Sequence, residues 1–190
     1  MPDHGLLFVD SLARRLAQGR KTATRRPMSV ANTVDYKGLL ARLERGEVPA
    51  LADSRVQPGD NVWVRETWRI AALRREDGLA MICYRAGGSY SATIGEGPPA
   101  KIGPYLDSLA VTSTWRPSIH MPRWTARTVL PVVEVEPERL HTLSDEEALA
   151  EGFDSSAEFT NAWNAIYRAR GQTVTEHPWV WVTRLGAKTP

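Results

Sequence analysis

The sequence predicts a single domain that mixes helices and strands. Its 190 residues fit one domain, and 42% hydrophobic with 24% charged residues is ordinary globular composition. Strand and helix patterns alternate near the start, and two helix signals followed by an alternating strand close the chain. We therefore expect an α+β fold over residues 1–190.

The first elements form a strand, helix, strand entry. Gly5 to Val9 is a short apolar run that predicts a strand. A helix follows it, capped by Asp10 or Ser11 and ended by Gly19. The alternation and the threonines of Thr22 to Arg26 favour a second strand.

The middle of the chain is less regular. Residues 28–57 show no clear period apart from a helical pattern over Tyr36–Arg45, and we treat them as an insertion. Asn61 to Arg69 and Met81 to Arg85 have the composition of strands. Ala86 to Pro104 is rich in Gly, Pro and Ser and predicts a long loop.

The last third carries clear start and stop signals. Trp124 to Glu136 predicts a long strand, in which Pro131 implies an edge position or a bulge. Trp179 to Leu185 alternates and predicts the final strand. Two capping boxes between them predict two helices, at Ser144 with Glu147 and at Ser155 with Glu158. Four apolar side chains of the second helix have helical spacing and should face the core: Phe159, Trp163, Ile166 and Tyr167.

Composition excludes several classes of protein and site. Cys83 is the only cysteine, so neither an intrachain disulfide nor a cysteine zinc cluster can form. The four histidines are scattered singly, and we predict no metal and no cofactor. The start resembles no secretory signal, and no apolar run is long enough to cross a membrane. These features predict a soluble, cytoplasmic protein.

Charge is distributed unevenly although the net charge is only +2. Ser11 to Asn32 and Ser108 to Val133 contain arginines and a lysine without any acid, whereas Glu134 to Glu158 is rich in acids. This pattern predicts a basic side, which would attract phosphate, and an acidic side. The alternative is that these charges only solvate a surface.

The run from Gly19 to Arg26 is the densest candidate site. Threonine becomes a nucleophile only when a base takes its proton, and a lysine serves as that base only if its pKa is lowered. Lys21 would reach Thr24 from a turn before the strand, which Gly19 allows. The other polar side chains of the run are candidates for binding phosphate or a base: Arg20, Thr22, Arg25 and Arg26. The alternative is a solvated basic strand.

Aromatic and basic residues interleave from Trp115 to Trp124. Bases of single-stranded nucleic acid stack on such surfaces, so Arg116 and Arg123 are candidates for binding nucleic acid. Arg65 is a further candidate, because it lies between two tryptophans in the segment Asn61 to Arg69. The alternative is a rigid loop that packs its tryptophans against the core.

Four segments together resemble the ASCH family. They are the Gly-Arg-Lys-Thr-x-Thr-x-Arg run at 19–26, the turn that leads into Trp63–Glu66, the helix end at Glu147–Phe153, and Trp179–Val182. The run from Arg116 to Arg123 is similar to a longer form common in phages and prophages. The resemblance implies a small β-barrel of the PUA-like type with flanking helices and two long insertions, at about 28–57 and 70–124. It also implies RNA, single-stranded nucleic acid or a modified nucleoside as the partner.

Some short members of this family hydrolyse the amide of N(4)-acetylcytidine with a lysine, a threonine and a glutamate. By resemblance these positions fall on Lys21, Thr24 and Glu151. The resemblance implies that Glu151 orients or deprotonates Lys21 and that Lys21 activates Thr24. Arg26 would then polarise the carbonyl or hold the nucleoside.

Two alternatives to this amidohydrolase stay open. One is a non-catalytic module that binds RNA or a modified base. The other is a metal-independent single-strand ribonuclease, in which Lys21 and the arginines stabilise the transition state.

Overall fold

The computed structural model describes residues 2–74, 76, 78–93 and 111–187. Within these ranges the chain forms helices and strands in mixed order, which confirms the α+β class. None of the helices in the described part of the chain has the length and apolar character to span a bilayer. The helices are α1 (Asp10–Ala17), α2 (Tyr36–Glu44), α3 (Asp145–Ala150) and α4 (Ser156–Tyr167). The strands are β1 (Asp3–Leu7), β2 (Ala23–Pro27), β3 (Asn61–Arg65), β4 (Trp68–Arg74), β5 (Leu79–Tyr84), β6 (Ser89–Thr93), β7 (Val129–Arg139) and β8 (Trp179–Leu185).

The strands form two sheets. One has five strands in the order β1-β3-β7-β8-β2, and the other has three in the order β4-β5-β6. The described strands do not show a closed barrel, so the PUA-like barrel stays a prediction.

The chain divides into two compact units. Unit 1 holds the described residues within Met1–His4, Gln18–Val62 and Leu130–Pro190. Unit 2 holds those within Gly5–Ala17 and Trp63–Val129. Each unit is described by itself below.

In unit 1, β8 pairs with β2 on one side and with β7 on the other. Both pairings are antiparallel, and residues directly opposite each other share a face of the sheet. Thr24, Thr183 and Val135 lie in one such row, and Arg25 lies opposite Val182 in the next. Successive residues of β2 therefore present their side chains to opposite faces.

Two helices cover the face of the sheet that carries Val180 and Val182. These valines belong to a buried cluster with Ala148 of α3 and with Phe159 and Trp163 of α4. The indole N–H of Trp163 donates to the carbonyl of Gln172 at 2.7 Å, so its burial leaves no polar group unsatisfied.

Helix α3 is short. A capping box defines its start, and a glycine defines its end. Ser144 and Glu147 form a complete capping box, in which each side chain accepts a backbone N–H of the other residue. At the other end Gly152 has a φ of 82°, a left-handed conformation that suits glycine. The N–H groups of Gly152 and Phe153 donate to Leu149 and Ala148, which is the Schellman pattern. These two ends fix Glu147 and Glu151 in place.

Unit 2 is built on the antiparallel sheet β4-β5-β6. Its core cluster includes Trp68, Ile82 and Met121. Glu66, which is fully buried, accepts two hydrogen bonds from Arg127 at 2.9 and 2.7 Å. Burial raises the pKa of Glu66, and the hydrogen bonds and charge of Arg127 oppose that rise.

Several expected elements are confirmed and others are wrong. The final strand covers Trp179–Leu185 as predicted, and α2 confirms the helical pattern inside residues 28–57. The segment 61–69 is not one strand, because the chain leaves β3 at Glu66, whose side chain is drawn into the buried pair with Arg127. Residues 89–93 form β6, not loop, because they pair with β5. Residues 86–88 form the turn before β6, as expected of a loop, and residues 94–104 of that expected loop lie outside the described residues.

Two expectations concern single residues, and one of them is wrong. For Pro131 an edge position or a bulge was expected; β7 is not an edge strand, because it lies between β3 and β8, but the register shifts close to the proline, between Val132 and Glu134, in agreement with the bulge. Ile166 is 57% exposed, while Phe159 and Trp163 are buried as predicted. The apolar stripe of α4 is therefore narrower than its spacing indicated.

We predict that Ser144→Ala lowers the free energy of unfolding by about 1 kcal/mol, because the variant loses the side-chain acceptor that caps α3. Ser144→Asp retains an acceptor at the same position and should keep wild-type stability. Urea unfolding curves of the three proteins test this. Equal stability of Ser144→Ala and wild type would contradict it.

Candidate functional site

A buried ion pair links the Gly19–Arg26 run to the end of α3. Nζ of Lys21 donates to the Glu151 carboxylate and to the Glu151 backbone carbonyl, both at 2.7 Å. Lys21 is 2% exposed and Glu151 is 3% exposed. The structure thus brings together two of the three side chains that the resemblance implies, 130 positions apart in sequence.

Backbone contacts hold this pair in register. The C-terminal carbonyls of a short helix lack partners within the helix. Here the Thr22 N–H donates to the Ala150 carbonyl at 2.8 Å, and Lys21 binds the carbonyl of Glu151. On its other side Thr22 accepts the N–H of Leu185 at 2.7 Å. Lys21 lies after the turn at Gly19 and before β2 begins, as expected.

Arg25 is the hub of a cluster of three carboxylates. Its guanidinium donates to Glu138 at 3.2 and 3.3 Å, to Glu147 at 2.9 Å and to Glu151 at 3.3 Å. The Arg25 side chain is only 3% exposed. Glu147 therefore both caps α3 and binds Arg25, and Arg25 and Lys21 hold the two oxygens of Glu151 from different sides.

The electrostatics of the cluster follow from burial. Desolvation lowers the pKa of Lys21; Glu151 opposes this, and the charges of Arg26 and Arg25 lower it further. Burial also acts to lower the pKa of Arg25, but hydrogen bonding to Glu138 and the nearby carboxylates raise it on balance. For Glu147, burial acts to raise the pKa, while bonds from Ser144 and the charge of Arg25 lower it on balance.

Thr24 and Arg26 lie on the opposite face of β2 from Arg25. Thr24 is buried and lies opposite Thr183. Arg26 is partly buried, and burial lowers its pKa against the charges of Tyr167 and Glu151. Side chains along β2 alternate between its two faces, which separates Thr24 from Arg25. Lys21 precedes the strand, so this alternation does not determine the direction of its side chain.

The remaining candidates of the run are on the surface. Arg20 is largely exposed and reaches Asp154 only at 4.0 Å. The Thr22 side chain is exposed, although its backbone is hydrogen bonded on both sides. Arg25, in contrast, uses its donors on carboxylates within the protein.

The other predicted binding residues lie together in unit 2. The Arg65 and Arg123 guanidinium groups lie 5.4 and 5.9 Å from the ring centroid of Trp63. Arg116 lies 5.2 Å from the ring centroid of Trp68. The candidates of the Gly19–Arg26 run thus lie in unit 1, and Arg65, Arg116 and Arg123 lie in unit 2.

Two of the three carboxylates that surround Arg25, those of Glu138 and Glu147, were not predicted as site residues. The strand β7 runs to Arg139, beyond the predicted end at Glu136, and this extension brings Glu138 onto the sheet beside Arg25. The prediction of separate basic and acidic sides is wrong for these residues, because Lys21 and Arg25 bind Glu138, Glu147 and Glu151. The sequence does carry one signal for this cluster: Glu147 of the capping box and Glu151 lie one helical turn apart.

We predict that Arg25→Met lowers the free energy of unfolding by about 3–5 kcal/mol, because three carboxylates lose the cation that compensates them. Arg20→Met is the matched control. It removes an exposed cation and should change stability by at most about 0.5 kcal/mol. Urea unfolding measures both, and equal effects of the two changes would contradict the hub role of Arg25.

Comparison with known proteins adds little to this description. No family model matches the chain, and no curated protein matches it. Among solved structures, the chain is similar to the crystal structure of protein EF3133 from Enterococcus faecalis V583, of the family DUF984, at 12% identity and a TM-score of 0.42. That similarity covers 99% of this chain and 77% of the other. At this level it supports no inference about fold or function.

Proposed function

We propose that the chain is an ASCH-type, PUA-like protein that hydrolyses the amide of N(4)-acetylcytidine or a similar acylated nucleoside. The observation that carries this is the buried Lys21–Glu151 pair, which joins the run containing Thr24 to the end of α3. A buried lysine whose pKa is lowered is better suited to act as a base than an exposed lysine.

In this mechanism neutral Lys21 accepts the proton of the Thr24 hydroxyl as its oxygen attacks the acetyl carbonyl carbon. The bond between that carbon and N4 then breaks, and N4 leaves with the proton from Lys21. The product is cytidine and an acetyl ester on Thr24. Water, deprotonated by Lys21, attacks the ester, and the released Thr24 oxygen recovers the proton. Acetic acid leaves and releases its proton to solvent as acetate, and the enzyme is restored.

Two further residues support these steps. Glu151 holds Lys21 through both its carboxylate and its carbonyl, which orients the amine. Arg26, on the same face of β2 as Thr24, is suited to stabilise the negative charge that develops on the carbonyl oxygen. Arg25 is assigned a positioning role, because it holds the second oxygen of Glu151.

We predict that the wild-type protein releases acetate from N(4)-acetylcytidine and that Lys21→Ala slows this by about 10²- to 10⁴-fold, the usual contribution of a general base. Acetate is measured at equal protein concentration, and thermal unfolding checks that the variant is folded. Absence of turnover in both proteins would overturn the proposal and leave the binding and ribonuclease alternatives. Metal-independent RNA cleavage that is lost in Lys21→Ala would favour the ribonuclease.

We predict that Thr24→Val abolishes turnover, because it replaces the hydroxyl by a methyl group of similar shape. Thr24→Ser retains the hydroxyl and should retain measurable acetate release. Single-turnover experiments with both variants measure the acylation step directly. Full activity of Thr24→Val would remove Thr24 from the role of nucleophile.

The pH dependence of kcat/KM tests whether Lys21 is the general base. Because Lys21 acts when deprotonated, kcat/KM should rise with pH through the Lys21 pKa, with a midpoint below the ordinary value of about 10.4. The charge of Glu151 raises that pKa, so Glu151→Gln should move the midpoint to lower pH. A profile that falls with rising pH, or a midpoint that Glu151→Gln moves upward, would contradict the assignment.

A further inference from the structure

The three-stranded sheet of unit 2 has one edge that is covered and one that is open. Residues 112–116 lie along the outer side of β4. Trp68 and Arg116 exchange backbone hydrogen bonds at 3.2 and 2.8 Å, and the Thr112 N–H donates to the Ile70 carbonyl at 3.1 Å. No segment lies along the outer side of β6 in the part of the chain that the structure describes. We name this outer side of β6 the open edge.

The register of β6 shows which of its backbone groups face the open edge. In an antiparallel pair of strands, residues that exchange hydrogen bonds alternate with residues that do not. The Tyr84 N–H donates to the Gly88 carbonyl at 3.2 Å, and alternation from this pair makes Tyr90 and Ala92 the residues that bond to β5. The N–H and C=O groups of the other residues of β6 point away from β5: Ser89, Ser91 and Thr93.

Strand β6 lacks the features that keep exposed edges from pairing. Natural edge strands are protected by charges, prolines or bulges. Residues 86–93 read Ala-Gly-Gly-Ser-Tyr-Ser-Ala-Thr, with no charge and no proline. The register between β5 and β6 also runs without a shift, so there is no bulge. Nothing in β6 itself therefore opposes the addition of another strand.

The side chains at the open edge combine small polar groups with one large ring. Ser89 and Ser91 are exposed, and Tyr90 is 42% exposed. Tyr90 lies opposite the core residue Ile82, and the buried Ala92 shares its face of the sheet. A large aromatic side chain is thus left half-covered beside a small one, at the margin of the core of unit 2.

We propose that the open edge binds the open edge of a second copy of this chain, in an antiparallel pair about a twofold axis at Ser91. In this register Ser91 lies opposite the partner's Ser91, and Ser89 lies opposite the partner's Thr93. All five residues of β6 are then paired, and each outward N–H and C=O group meets a group of the other copy. The two sheets become one continuous sheet.

Two properties of β6 favour a second copy over a different protein. The register places Tyr90 beside the partner's Ala92, so a large ring meets a small side chain, and the twofold axis makes this contact twice. The strand is also uncharged, so a charged peptide gains no ion pair from it, whereas an identical strand meets no repulsion.

The pairing should give a weak dimer whose amount depends on concentration. Five residues on each side are fewer than the roughly 20–30 residues a side of stable interfaces. The inference concerns unit 2 alone and uses none of the residues assigned to hydrolysis. It therefore fails or holds independently of the proposed function.

The first test is sedimentation equilibrium of the wild-type protein from about 1 μM to about 1 mM. We expect the average mass to rise from 21.1 kDa toward twice that value. A mass of 21.1 kDa at every concentration would overturn the proposal and leave a strand of another protein as the occupant of the open edge.

Charge variants at Ser91 test the register. Ser91→Lys and Ser91→Glu each put like charges opposite each other at the axis, and each should weaken the dimer at least about fivefold at low salt. An equimolar mixture of the two variants brings opposite charges together and should restore association. Ser113→Lys, at an exposed serine in the segment along β4, is the matched control and should associate like the wild type. Unchanged association of both Ser91 variants, or no recovery in their mixture, would overturn the pairing.

A backbone variant tests the hydrogen bonds. Ser91→Pro removes the N–H at the axis and leaves the bonds to β5 in place, because the Ser91 N–H points away from β5. It should weaken the dimer at least about tenfold, since each copy loses a hydrogen bond at the axis. Thermal unfolding checks that the variant is folded; a folded Ser91→Pro protein that dimerises like the wild type would contradict the proposal. If it does not fold, the mixture of charge variants decides.

Discussion

The burial of the Lys21 ammonium is the constraint on which unit 1 depends. An isolated charge in a protein interior is costly, so a buried lysine requires a carboxylate within hydrogen-bonding distance or the loss of its proton. Glu151 supplies that carboxylate, but it is buried as well, so its second oxygen needs a hydrogen-bond donor. Arg25 provides it and thereby brings in Glu147 and Glu138. The end of a short helix and two strands are thus joined by charge compensation.

This cluster explains why a six-residue helix is well defined. Helix formation begins at a cost that so short a segment does not recover by itself. The two ends of α3 are instead fixed from outside, by the Ser144–Glu147 box at one end and by the contacts of Lys21 and Thr22 with Glu151 and Ala150 at the other. Arg25 then binds the side chains of Glu147 and Glu151. The same contacts therefore stabilise the helix and determine the geometry of the candidate site.

Local signals gave the parts of this arrangement that depend on neighbours in sequence. The capping box at Ser144, the stop at Gly152 and the alternation of Trp179–Leu185 were all predictable, because each reflects a short-range hydrogen bond or a strand period. The end of β7 was not predictable, because its extension to Arg139 depends on pairing with β8. Without that extension, no feature of the sequence placed Glu138 at the site. The break after Arg65 likewise depends on a buried partner, Arg127, that lies 61 residues away from Glu66. The family resemblance led to Lys21 and Glu151, and geometry supplied their contact.

The order in which the chain is made has a consequence for the ion pair. Strand β2 pairs only with β8 among the described strands, and Lys21 meets Glu151 across most of the sequence. During synthesis the segment that contains Lys21 therefore leaves the ribosome long before any of its partners exist. Contacts of such wide sequence separation form late, since a long loop must close first. A nascent chain that ends before β8 lacks the strand that pairs with β2, so the candidate site arises only after β8 has been made.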